Sequence, residues 1–148
     1  MFFITLTLGS AMVLLAIGIH YEALRMAASY LLPRMQIVSR RAHVTVGVIA
    51  CMAAHTIEIW AFAGAYWLLS WTGLNMGFAD NYRRSFIDYL NFSAESYTSL
   101  GFGDAEMLSP DMRLLAGIEA LTGLVLIAWS ASFTYFVMAQ YWGGRPRH

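Results

Sequence analysis

Lysine is absent from this 148-residue chain: all nine basic residues are arginines, and nine Asp and Glu residues balance them to a net charge of zero. Charged residues make up 12% of the sequence, against roughly 25% in an ordinary soluble domain. A neutral chain without a basic cluster has no electrostatic hold on a polyanion, which excludes nucleic acid as a partner. Cys51 is the single cysteine, so an intrachain disulfide and a CxxC redox or zinc motif are both excluded, and it reads as a packing residue. Internal repeats, low-complexity tracts and room for a separate soluble domain are also lacking. There is no Ser-His-Asp arrangement, HExxH motif or phosphate-binding loop, and the chain is not expected to be an enzyme. What it has in excess is apolar surface: 59% hydrophobic residues and a mean hydropathy of +0.56 predict a small protein of the lipid bilayer.

Three apolar runs are long enough to cross the hydrocarbon core, which takes about 20 helical residues. The first, 2–19, carries no charge. It has no basic segment before it and no clear cleavage site after it, so it reads as a retained helix and not as a signal peptide. The second, 44–71, is interrupted only by His55 and Glu58 and closes on Trp60, Tyr66, Trp67 and Trp71, rings suited to a membrane interface. The third, 114–142, is broken by Glu119 and ended by Gly143, Gly144 and Pro146, all poor helix continuers. This topology places Arg25, Arg34, Arg40, Arg41, Arg145 and Arg147 on one side and only Arg83, Arg84 and Arg113 on the other. The positive-inside rule then puts the amino terminus outside and the carboxyl terminus in the cytoplasm of a multi-pass plasma (inner) membrane protein. Residues 20–42 suit an interfacial amphipathic helix, broken or kinked at Pro33.

The external segment 73–112 is too long for a simple turn, and long ordered loops tend to be functional. Ser85 followed by Asp88 has the spacing of a capping pair, which predicts a helix over 86–98. Thirteen residues of helix measure about 20 Å, too short to cross and return. Next comes Thr98-Ser99-Leu100-Gly101-Phe102-Gly103-Asp104, in which two glycines alternate with bulky residues. Alternating glycines allow positive φ at every second residue, so that successive carbonyls turn to one side and offer the oxygen ligands that hard cations prefer.

This stretch resembles the selectivity-filter signature of potassium channels, in its Gly-Phe-Gly-Asp variant, and the order and spacing of the flanking helices are similar to the two-transmembrane pore module of the bacterial type. The resemblance covers about 100 of the 148 residues. It implies an all-α membrane protein: three transmembrane helices plus a re-entrant pore helix and filter loop, assembled as a homotetramer around one pore. An N-terminal unit, 1–42, would hold the extra helix and a cytoplasmic Arg-rich linker. The pore domain, 43–148, would hold the outer helix (44–71), pore helix (86–98), filter (99–103) and inner helix (114–142).

By the same resemblance the carbonyls of Ser99, Leu100, Gly101 and Phe102, with the Ser99 hydroxyl, coordinate K+ as the permeant ion, and no organic cofactor is expected. Thr98 and Gly103 support the filter, Glu95 pairs with Asp104 behind it, and Gly123 takes the place of the inner-helix hinge glycine. Leu124, Ile127, Ala131 and Tyr135 follow helical spacing and, by family position, line the water-filled cavity; lipid contact or packing is the other reading of that stripe. Serine at 99 and phenylalanine at 102 depart from the usual threonine and tyrosine, so passive potassium-selective conduction stands beside two alternatives, a non-selective monovalent cation channel and a non-conducting accessory subunit.

The remaining polar residues admit several readings. His55 and Glu58 share a helical face near mid-span, either as a proton relay or gate or as a buried pair stitching helices together. Glu119 is expected against the back of the pore helix. Asp80, Asp88, Asp104, Glu106 and Asp111 outnumber the external arginines and would gather cations at the mouth. His20, His43 and His148 have no mutual spacing that makes a metal site and read as surface or interfacial residues, and haem held between His20, His43 or His55 is disfavoured because His43 lies at a membrane edge and His55 near the centre. No span carries Arg at every third position, as a voltage sensor requires, and neither a gating stimulus nor a regulatory partner is legible.

Overall fold

The computed structural model describes residues 2–35, 39–71, 85–101 and 110–142. They are helical, with no strand among them, and three of the helices are long and apolar enough to cross a membrane. Helix α1 runs Phe2–Met26 and continues through a π-helical turn, Ala27–Leu31, and a last short turn, Leu32–Arg34. Helix α2 spans Arg40–Ser70, α3 spans Phe86–Thr98 and α4 spans Pro110–Trp142.

The sequence expected a separate interfacial helix beyond residue 19, and the structure corrects this: α1 carries straight on to Arg34. Pro33 has no N–H, and its ring would strike the carbonyl four residues back. The widened turn at Ala27–Leu31, immediately before it, absorbs the misfit without ending the helix. The buried face of α1 is a stripe of Thr5, Gly9, Met12, Ala16, His20 and Leu24, at helical spacing.

Contacts along the helices fix their directions. Thr5 donates to Asp111 at 3.2 Å and His20 meets Ser130 at 3.3 Å, so α1 and α4 run parallel. His43 stacks on Tyr141 with 4.2 Å between ring centres, whereas Tyr66 reaches Glu119, so α2 runs antiparallel to both. Helix α3 enters where α2 ends, with Phe86 against Trp67, and stops beside His55, midway along α2. It is therefore a half-depth helix wedged between two full-length ones. Its own apolar stripe, Tyr89, Phe92 and Tyr97, joins Phe62, Tyr66, Met112 and Leu115 among the most buried side chains. Burial of aromatics this large supplies most of the packing energy available in the wedge.

Candidate functional site: the carbonyl end of the half-depth helix

The start of α3 follows directly from its sequence. Ser85 and Asp88 close a capping box: the Ser85 amide donates to Asp88 Oδ2 at 3.1 Å, and the Ser85 side chain accepts from the backbone at Asp88. Halfway along, the Ser93 hydroxyl donates to Glu119 Oε1 at 2.5 Å and lies 2.9 Å from the Ile59 carbonyl. Tyr66 donates to the other Glu119 oxygen at 2.7 Å. Glu119 is fully buried against the back of α3, where the sequence had placed it. A carboxylate in such a setting must be hydrogen-bonded, because an unsatisfied buried charge is costly.

At its other end α3 closes in a Schellman motif. The Leu100 amide donates to the Glu95 carbonyl at 3.1 Å and the Ser99 amide to the Ser96 carbonyl at 3.0 Å. That motif requires a left-handed residue, and here it is Ser99, with φ 57° and ψ 24°, where glycine is usual. Gly101 takes positive φ as well, at 53°. Positive φ at alternate residues is thus present, although the sequence had assigned it to the glycines alone. Thr98 donates to the Ala94 carbonyl at 2.6 Å, while Ser99, Leu100 and Gly101 are exposed. Glu95 is half-buried; Phe102, Gly103 and Asp104 lie outside the described residues, as do Asp80 and Glu106.

The carbonyl end of α3 rests on α4 at Gly123. A Cβ at that position would overlap the Tyr97 carbonyl oxygen, so only glycine allows the two backbones this close. Helix α4 runs unbroken through Gly123 from Pro110 to Trp142. Leu124, Ile127, Ala131 and Tyr135 are all exposed on α4. A cavity of about 400 Å³ opens beneath α3 between α2 and α4, lined by Thr98 and Tyr97 above and by Ile127, Ser130 and Ala131 on α4.

The buried His55–Glu58 pair stitching helices together, one of the two readings of the sequence, is present, and what sequence reasoning missed is the company it keeps. Glu58 is fully buried and gathers side chains from three helices: His20 Nδ1 on α1 at 2.9 Å, His55 Nδ1 on α2 at 3.2 Å, and the Tyr97 hydroxyl on α3, which donates to it. Ser130 on α4 lies 3.3 Å from His20 Nε2 and 3.0 Å from His55 Nε2. His20 and His43, expected at the surface or interface, are buried instead. The first apolar run stops before His20, yet α1 does not, and the spacing of Met12, Ala16 and His20 continues its buried stripe. That periodicity was the signal that would have placed His20 inside.

Two membrane-length helices flanking a half-depth helix, whose carbonyl end leads into a backbone of alternating positive φ, have the layout of a channel pore module. A family model described as an ion channel matches residues 43–140. The chain belongs to this ion-channel family, of the two-transmembrane type. Searches of the curated proteins and of the solved structures gave no match.

Proposed function

We propose that this chain is one of four identical subunits of a potassium-selective channel of the plasma membrane, with its amino terminus outside and its carboxyl terminus in the cytoplasm. The observation that carries the reading is the alternation of positive φ at Ser99 and Gly101, at the carbonyl end of a helix that stops midway along its neighbours. The negative end of the α3 dipole is directed at that depth, where a dehydrated cation needs it most. In this reading the Ser99 hydroxyl and the carbonyls of Ser99, Leu100, Gly101 and Phe102 replace the hydration shell of K+, which is the transported substrate. Thr98 and Gly103 shape the filter, and Glu95 and Asp104 brace it from behind. Leu124, Ile127, Ala131 and Tyr135 face the cavity below. Gly123 serves as the close-approach point under Tyr97, and any hinge motion at Gly123 has to carry that contact with it.

Flux from liposomes holding the purified protein under an outward potassium gradient tests this. Potassium efflux that exceeds sodium efflux and is abolished by Gly101→Ala is the expected result, because a Cβ at φ 53° is strained even where space is open. Equal passage of potassium and sodium would replace potassium selectivity with the non-selective reading. No flux from the wild type across a range of voltage would overturn conduction in favour of an accessory role.

A further inference from the structure

The buried cluster around Glu58 has a proton deficit. Ser130 has one hydroxyl proton but faces an Nε2 atom of both His20 and His55. Glu58 faces an Nδ1 atom of both rings, and Tyr97, with one proton of its own, lies between Glu58 and His55 at 2.8 Å from the ring nitrogen. If both rings are neutral and Glu58 is ionised, the cluster is one proton short of satisfying these contacts. Each neutral ring that donates from Nδ1 to the carboxylate turns a bare Nε2 toward Ser130, which can donate to only one of them. A positive charge within the ring of contacts removes the deficit. The groups that face it are His20 from α1, His55 and Glu58 from α2, Tyr97 from α3 and Ser130 from α4, with Glu119 the next carboxyl along α4.

We propose that His20, His55 and Glu58 form a binding site for a divalent transition metal of the zinc class, which ties α1 to α2 directly beneath the carbonyl end of α3. One ligand atom from each of the three residues lies within 4.8 Å of the others. Ligands held at 2.0–2.1 Å in a tetrahedral zinc site stand about 3.3 Å apart. The Nδ1 atoms already stand 2.9 and 3.2 Å from the carboxylate oxygens. Two imidazole nitrogens and a carboxylate, without thiolate, are a ligand set that borderline metals such as Zn2+ accept and that Mg2+ and Ca2+ do not favour. With both Nδ1 lone pairs on the metal, both Nε2 atoms carry protons, and the Ser130 oxygen accepts from the two of them. This is the outer-shell acceptor that metal-bound histidines normally require. The Tyr97 hydroxyl stands at the remaining side of the cluster. His55, whose side chain is 13% exposed, borders the cavity beneath α3 and provides the route of entry.

The test uses the full-length protein in detergent, stripped with a chelator and titrated with Co2+, whose visible absorption reports its coordination. Ion flux is not read, so the outcome is independent of whether the pore conducts. One Co2+ per chain is expected, displaced by Zn2+. His20→Gln and His55→Gln should each weaken binding by about 100-fold or more, and Ser130→Ala by about 10-fold, the usual effect of losing an outer-shell partner. His43→Gln, which removes a buried histidine outside the cluster, should bind as the wild type does. Wild-type protein that takes up no stoichiometric Co2+ would overturn the site and leave a proton as the charge that completes the ring. Binding unchanged in both His20→Gln and His55→Gln would overturn it equally. Should His20→Gln fail to fold, wild-type stoichiometry and His55→Gln, at the partly exposed ring, decide the matter.

Discussion

Glu58 and Glu119 are the same residue type, both fully buried and both turned toward α3, yet their surroundings differ in kind. Among the described residues Glu119 meets hydroxyls, from Ser93 and Tyr66, and so fastens the middle of α3 to α2 and α4. Glu58 meets two histidines and a tyrosine at the carbonyl end, where α1 also arrives. The middle of α3 is held by a fixed latch, and its end by a cluster whose charge depends on what occupies it. A buried carboxylate is thus either a structural fastener or a cation site, and its partners decide which.

The sharpest way to break this comparison is to replace each carboxyl by an amide in turn. Glu58→Gln strands the histidines in a buried setting and should cost about 3 kcal/mol of stability, as breaking a buried ion pair does. Glu119→Gln keeps one acceptor for its two hydroxyl donors and should cost about 1–2 kcal/mol. Thermal unfolding in detergent reads both, and equal losses would erase the distinction. Next in size is Gly123→Ala, which forces a methyl against the Tyr97 backbone and should cost about 2 kcal/mol. Gly117→Ala, on the same helix with open space around the added carbon, should change stability by less than about 1 kcal/mol and marks the effect as local. The last expected effect has the opposite sign. Ser99→Gly relieves a left-handed serine and should raise stability by about 1 kcal/mol, a gain measurable in the same unfolding experiment.

Much of this was legible in the sequence because it rests on local rules. The capping pair Ser85 and Asp88 marks the start of α3, and the three apolar runs mark the long helices, since burial in lipid demands length and little else. The position of Glu119 followed from helical phase. The partnership of His20 with Glu58 was not legible, because hydropathy ends the first run one residue too soon and nothing local links residues 38 apart. Helix α1 runs on past Pro33 for a similar reason: a π-turn is chosen by tertiary packing and has no composition signature. The left-handed Ser99 escaped because glycine-based reasoning looks for positive φ only where glycine stands.

The most direct test of the central claim, that the backbone following α3 selects potassium, is the reversal potential of the purified channel in a planar bilayer with potassium on one side and sodium on the other. The expected result is a reversal displaced far toward the potassium equilibrium potential, and displaced further by Ser99→Thr, which restores the usual filter threonine. Single-channel currents that reverse at zero under the same gradient, in wild type and Ser99→Thr alike, would contradict it.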